Sequence, residues 1–249
     1  MERILIHSYK GGTGKTTVAL NIANILSHHN KILLIENDFK MPSFFYIFKR
    51  EPNLYFNDYL IGNANFNEII ECDVKSNLDV IFTNKSFDPN EKVMGSDQEW
   101  FLIILERMMG DLKALEDKYD YVIFDTPPGW HLIVANLIML SNKAVLLLRP
   151  NSYAVNGTKR MLEVLYKRAR PIGSWDVYLL FNQVPEVDMK AELERWAGEF
   201  QKEGIKYAGY ISCSCNTAYQ MAHEAMIFSL EHKFNQALQK ALNTLFETV

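Results

Sequence analysis

Eight residues near the start of the chain have the composition and spacing of a phosphate-binding loop. They lie between an apolar run at residues 4–7 and a helix-like stretch, and they read Lys10-Gly11-Gly12-Thr13-Gly14-Lys15-Thr16-Thr17. A strand, a glycine-rich loop and a helix N-terminus, in that order, aim successive backbone N–H groups at one anion. Lys15 supplies an ammonium for the phosphates and Thr16 a hydroxyl for Mg²⁺. The loop therefore predicts nucleotide binding by residues 11–17, with Lys15 also catalytic.

A carboxylate follows another apolar run, at residues 121–124. The run ends in an acid and a tight turn, Asp125-Thr126-Pro127-Pro128-Gly129. Ligands of open α/β sheets bind at the carboxyl ends of the strands. We therefore expect Asp125 to hold Mg²⁺ through a water molecule, together with Thr16.

Short apolar runs alternate with helical patterns, which predicts an α/β fold: a doubly wound, mostly parallel sheet flanked by helices. The predicted strands are Arg3–His7, Lys31–Ile35, Leu78–Phe82, Tyr121–Asp125, Ala144–Leu148, Val177–Asn182 and Tyr207–Ile211. The predicted helices are 16–28, 97–117, 130–141, 153–169, 189–203, 216–227 and 233–247. The aromatic-rich segment from Phe39 to Asn77 is expected to contain loops and one or two short helices.

Composition sets the class of protein. The chain has 249 residues, 48% of them hydrophobic, and a net charge of −4, which predicts one domain over residues 1–249 without a general attraction to nucleic acid. Its three cysteines do not suggest a secreted disulfide framework. Neither a signal peptide nor an apolar run of about 18 residues is visible. We expect a cytoplasmic protein.

The loop resembles the deviant Walker A signature, Lys-Gly-Gly-x-Gly-Lys-[Thr/Ser], of the ParA/MinD family of P-loop ATPases. The segment from Asp125 to Gly129 is similar to the Asp-x-Pro-Pro/Ala-Gly segment of the same family, and the resemblance spans nearly the full chain. It implies an ATP- and Mg²⁺-dependent ATPase that forms a homodimer on ATP binding. Lys10 would then be a catalytic residue that reaches the partner's phosphates.

The same resemblance implies two further site residues. Family members usually end the second strand in Asp-x-Asp; Asp38 matches the second Asp, which lies near the attacking water, while Glu36 replaces the first. Asn182 ends a predicted strand, and its amide offers both a donor and an acceptor that can read the adenine edge, as the matching Asn does in relatives. A helix or turn cap is the alternative interpretation of Asn182.

Cargo and partners are less specified. Cys213 and Cys215 suggest a metal site, but two ligands per chain fall short of one, so we expect buried, non-ligating cysteines. A cluster of cations is either a solvated helix end or a patch for non-specific DNA binding: Lys159, Arg160, Lys167, Arg168 and Arg170. The last helix is amphipathic yet poor in basic residues, so we expect it to pack on the core rather than on a membrane.

Several branches of the family fit this sequence. Chromosome or plasmid partition is the function we favour, with an activating protein as a further partner. A MinD-type positioning ATPase for the division site, flagellum or pilus is the alternative, and a metal or iron–sulfur carrier is another. The phosphate-binding loop is specific for the family and does not distinguish these branches.

Overall fold

One eight-stranded sheet organises the computed structural model, which describes residues 1–86, 98–167, 176–213 and 232–246. The strands are β1 Glu2–His7, β2 Ile32–Glu36, β3 Glu71–Lys75, β4 Leu78–Ile81, β5 Tyr121–Asp125, β6 Lys143–Leu148, β7 Asp176–Val184 and β8 Lys206–Ser212. Their order is β3-β4-β2-β5-β1-β6-β7-β8, and β3 pairs antiparallel with β4 while the other neighbours are parallel. The carboxyl ends of β1, β2 and β5 therefore lie side by side.

Helices connect these strands and cover both faces of the sheet. They are α1 Lys15–Leu26, α2 Phe44–Phe48, α3 Phe56–Leu60, α4 Gln98–Ala114, α5 Leu132–Leu140, α6 Ser152–Met161, α7 Lys190–Gln201 and α8 His232–Phe246. A 3₁₀ turn spans Phe66–Ile69, and a π-helical segment at Leu162–Tyr166 continues α6.

The core is divided into two apolar clusters by the sheet. Along β1, Leu5 belongs to one cluster, whereas Ile4 and Ile6 belong to the other, because successive strand residues point to opposite faces. Residues of α4 to α7 pack in the first cluster, and residues of α1 and α8 pack in the second. The predicted doubly wound fold is confirmed.

The sequence-based prediction missed one strand. All seven predicted strands are present with ends shifted by up to two residues, but β3 lies in the segment expected to hold only loops and short helices. Most β3 side chains are exposed or half-buried, so the alternation that marks a strand is absent. The predicted helix at 216–227 lies outside the described residues.

The last helix packs on the core as expected. Phe234, Leu238, Leu242 and Leu245 are each at most 5% exposed and belong to the second cluster with α1. Its apolar face is therefore used inside the chain. Within the described ranges, every helix is too short or too polar to cross a membrane.

Candidate functional site

The phosphate-binding loop depends on two glycines with left-handed backbones. Gly12 has φ 71° and Gly14 has φ 89°, values that side-chain-bearing residues rarely adopt. A Cβ on Gly14 would also lie 2.5 Å from Nδ2 of Asn182. Helix α1 begins at the next residue, so the loop delivers its backbone directly to a helix N-terminus.

Lys15 is the buried cation of the loop. Its side chain is 7% exposed, and Nζ donates a hydrogen bond of 3.1 Å to Oγ of Ser8, which itself donates to the carbonyl of Lys10. Burial lowers the pKa of Lys15, while the carboxylates of Asp125 and Asp38 oppose that change. A cation desolvated in this way gains more from an incoming anion than a solvated one does.

Thr16 and Asp125 meet where the sequence predicts a Mg²⁺ site. Oγ1 of Thr16 donates to Oδ2 of Asp125 at 2.7 Å, and Oδ1 of Asp125 is buried without a partner among the described residues. Burial is the main cause that raises the pKa of Asp125 to about 7. A hydroxyl and a buried carboxylate with an unused oxygen are hard ligands suited to Mg²⁺, so the two residues fit the predicted ion.

The loop after β2 carries Asp38 and is anchored by Glu36. Oε1 of Glu36 accepts hydrogen bonds from the backbone N–H of Ser43 (2.6 Å) and Phe44 (2.9 Å), and Oε2 accepts from Thr83 at 3.1 Å. Burial raises the pKa of Glu36 to about 8, although the three donors favour the carboxylate. Glu36 thus fixes the end of the loop, a role that sequence reasoning did not assign to it.

These elements surround one cavity of about 580 Å³. Its lining includes Gly11, Gly12, Gly14, Lys15, Thr16, Thr17, Asp38, Pro127, Pro128 and His131. Most predicted loop residues therefore share a cavity with Asp38, the carboxylate that we predict to be catalytic. Thr13 and Asp125 do not line the cavity. Thr13 is buried within the loop, and Asp125, which is 1% exposed, is hydrogen-bonded to Thr16 of the lining.

Asn182 is placed behind the loop rather than in this cavity. Its Nδ2 donates to the carbonyl of Thr13 at 2.7 Å, and its Oδ1 accepts from the backbone N–H of Gln183. Gln183 in turn donates to the carbonyl of Gly12 at 3.2 Å. Both residues support the loop, and the adenine contact of Asn182 stays a prediction.

Lys10 differs from Lys15 in its surroundings. It is exposed, and its Nζ lies 3.8 Å from the centroid of the Tyr153 ring on α6. Nearby, Arg149 is exposed, and its Nη2 would lie 3.7 Å from a Cβ on Gly12. Within the described ranges, no carboxylate forms an ion pair with Arg149. Two cations thus border the loop on its solvent side.

Two cations of the basic cluster form ion pairs within the chain. Lys159 of α6 forms an ion pair with Glu199 of α7. Lys167, directly after the π-helical segment, forms one at 3.3 Å with Glu203 in the turn after α7. Arg160 is exposed. Arg168 and Arg170 lie outside the described residues, as does Cys215, while Cys213 is exposed rather than buried as we expected.

His7 is a site residue that sequence reasoning missed. It is fully buried at the end of β1; Nε2 lies 2.9 Å from the carbonyl of Gly129, and Nδ1 lies 2.9 Å from the hydroxyl of Tyr166. The carbonyl can only accept, so the proton is on Nε2, and Nδ1 accepts from Tyr166. Burial lowers the pKa of His7 to about 3. His7 therefore holds the Pro-Pro-Gly turn against the π-helical segment.

Comparison with known proteins identifies the family. The AAA_31 family model, described as an AAA domain, matches residues 1–171. The chain is 29% identical over 167 residues to the sporulation initiation inhibitor protein Soj of Bacillus subtilis, an alignment that covers 65% of this chain and 64% of Soj. The chain belongs to the ParA/MinD family of P-loop ATPases.

Solved structures share the fold over the whole chain. A plasmid partition protein from Borrelia burgdorferi B31, bound to AMPPNP, is 23% identical with a TM-score of 0.80, covering 100% of this chain and 99% of that one. The septum site-determining protein MinD from Pyrococcus horikoshii, complexed with Mg-ADP, is 21% identical with a TM-score of 0.74, covering 98% and 95%. Both likenesses show the ParA/MinD-type fold.

Proposed function

We propose that this protein is an ATP-dependent dimerising switch with slow Mg²⁺-dependent hydrolysis of ATP to ADP and phosphate. The observation that carries the proposal is the different placement of its two loop lysines. Lys15 is buried and lines the cavity, where it would face nucleotide of its own chain, whereas Lys10 is exposed at the start of the loop and lies outside the cavity lining. An exposed cation beside the cavity supports this proposal, because its ammonium would be free to meet the phosphates of a second copy.

The residues around the cavity supply the chemistry. The backbone of the loop and Lys15 bind the phosphates and neutralise the charge that develops on them in the transition state. Thr16 and Asp125 would hold Mg²⁺, which would supply positive charge to neutralise the phosphates. Asp38, partly exposed at the cavity and tied by Oδ1 to the backbone N–H of Met41 at 3.1 Å, would orient the attacking water.

Partition is the role we favour within the family. The similarity to Soj and to a plasmid partition protein supports this role. DNA is the partner that the basic cluster would bind, and an activating protein would be a second partner. Because Lys159 and Lys167 are engaged in ion pairs, Arg160, Arg168 and Arg170 would carry most of the phosphate contact. Exposed ion pairs are weak, so DNA can compete for the two lysines as well.

The alternatives have less support in the structure. A positioning ATPase that binds membrane through its last helix would need the apolar face that α8 buries in the core. A metal carrier would need Cys213, Cys215 and ligands from a second copy, and Cys215 lies outside the described residues. A positioning role without membrane binding remains the second candidate, favoured by the likeness to MinD.

Two alanine variants test the switch. Lys15→Ala should weaken nucleotide binding severely, because it removes the buried ammonium that faces the phosphates. Lys10→Ala should bind nucleotide as a monomer yet fail to dimerise with AMPPNP, as measured by light scattering, and fail to hydrolyse ATP. Unchanged ATP affinity and turnover in folded Lys15→Ala would refute the site, and AMPPNP-induced dimerisation of Lys10→Ala would refute the across-dimer role.

DNA binding has its own test. If half of the five cations in each chain contact phosphates, the logarithm of the DNA-binding constant of the dimer should fall with the logarithm of salt concentration with a slope of roughly −4 to −5. If Lys159 and Lys167 stay in their ion pairs, the slope should be about −3. Replacing Arg160, Arg168 and Arg170 by Glu should abolish ATP-dependent DNA binding and preserve basal hydrolysis. DNA binding that survives the triple replacement refutes the patch, and binding to anionic liposomes instead would favour a positioning role.

A further inference from the structure

A glycine on α6 makes room for the residue that precedes Lys10. A Cβ on Gly157 would lie 2.1 Å from Cε1 and 2.3 Å from Cδ1 of the Tyr9 ring, closer than real Cβ atoms approach other heavy atoms. The contact involves a whole edge of the ring, so a small rotation of Tyr9 would not relieve it. Glycine is less favourable than alanine inside a helix, and close contact with an aromatic ring accounts for its presence here.

One turn earlier on the same helix, Tyr153 holds the ammonium of Lys10. Residues four apart share a helix face, so Tyr153 and Gly157 both face the start of the phosphate-binding loop. The Nζ of Lys10 lies 3.8 Å from the centroid of the Tyr153 ring, well within the range of a cation–π interaction. Tyr153 is 64% exposed, so the ammonium stays accessible from solvent.

We propose that α6 positions Lys10 for its contact across the dimer, with Gly157 admitting the Tyr9 ring and Tyr153 holding the ammonium. This inference rests on the proposed across-dimer role of Lys10. A free lysine side chain has many rotamers, and ordering it on binding costs conformational entropy. A helix that already restricts its direction reduces this cost, so α6 should strengthen the dimer.

The first test replaces the glycine and compares it with a matched glycine. Gly157→Ala displaces the Tyr9 ring and should weaken AMPPNP-induced dimerisation by about ten- to a hundred-fold, the range expected if the strain of the overpacked contact is carried into the dimer. Gly198→Ala is the control, because Gly198 is also helical and a Cβ there meets nothing within 4 Å. The control should dimerise like the unchanged chain. Alanine favours helix, so Gly198→Ala should unfold at the same temperature or higher, whereas the clash with Tyr9 should lower the unfolding temperature of Gly157→Ala.

Two further comparisons separate positioning from a general structural effect. If Gly157→Ala acts through the ring, Tyr9→Ala/Gly157→Ala should dimerise like Tyr9→Ala alone, which is the non-additivity expected of two residues in contact. Tyr153→Ala should weaken dimerisation about two- to five-fold, the size of an exposed cation–π interaction. Tyr153→Phe keeps the ring face and should restore it.

Each outcome decides the proposal. If Lys10→Ala fails to dimerise but Gly157→Ala and Tyr153→Ala dimerise normally, positioning by α6 is wrong while the across-dimer role stands. If Lys10→Ala dimerises normally, both are wrong. Additive effects of Tyr9→Ala and Gly157→Ala would also overturn the proposal. Should Gly157→Ala not fold, equal dimerisation of Tyr153→Ala and Tyr153→Phe would still refute it.

Discussion

The buried histidine at the end of β1 should make the fold sensitive to mild acid. Burial is the main cause that lowers the pKa of His7 from 6.5 to about 3, and the nearby charges of Lys15 and His131 lower it further. Between these two pH values the unfolded chain binds a proton that the native chain does not. The stability that neutral His7 contributes is therefore fully present above pH 6.5 and is lost as the pH falls.

The size of this effect follows from the two pKa values. At pH 5.5 about ten of every eleven unfolded chains carry the proton, which costs the native state about 1.4 kcal/mol relative to pH 7.5. Protonation also removes the acceptor on Nδ1 for Tyr166, so the native state cannot relax by simply charging the ring.

Urea unfolding of the unchanged chain and of His7→Gln, at pH 7.5 and 5.5, measures this contribution. The unchanged chain should lose about 1.4 kcal/mol more than the variant, because every other titrating group is common to both. Equal losses would refute the reasoning. If His7→Gln does not fold, ¹³C-labelled histidine gives a direct readout: a His7 signal that titrates between pH 8 and 5 would contradict a pKa of about 3.

Three other variants test the cavity. Gly14→Ala should weaken nucleotide binding and destabilise the fold by about 1–3 kcal/mol in chemical unfolding, because its φ is 89° and its Cβ would contact Asn182. Thr16→Ala should lower nucleotide affinity in Mg²⁺ and leave affinity in EDTA nearly unchanged; equal losses in both would count against the metal role. Arg149→Ala should weaken nucleotide binding or AMPPNP-induced dimerisation, and an affinity and dimer equal to those of the unchanged chain would show that this cation is not used.

The parts of the site that the sequence predicted are those set by local backbone chemistry. Gly12 and Gly14 need left-handed backbones, and Lys15 and Thr16 follow them directly, so eight consecutive residues describe the loop. Asp125 could be placed because a buried parallel strand ends at it. Neither inference needed contacts between distant residues.

The parts that the sequence missed depend on long-range contacts. His7 and Tyr166 are 159 residues apart, and Glu36 reaches Thr83 from 47 residues away. A lone histidine or glutamate after an apolar strand carries no signal of such a partner. Strand β3 was not predicted for another reason. It is an antiparallel edge strand with exposed or half-buried side chains, so it lacks the apolar run from which the buried strands were predicted.

Helix α6 contacts residues proposed for two different functions, dimerisation through Lys10 and DNA binding through Lys159. One face of α6 contacts the start of the phosphate-binding loop through Tyr153 and Gly157. On another face Lys159 pairs with Glu199 of α7, so a shift of α6 would stretch that weak ion pair. DNA phosphates that compete for Lys159 would loosen this connection, whereas a partner's phosphates that engage Lys10 where Tyr153 holds it would strengthen the opposite one. Nucleotide state and DNA contact would then be coupled through one rigid element whose equilibrium both ligands bias, which is the physical requirement for a switch.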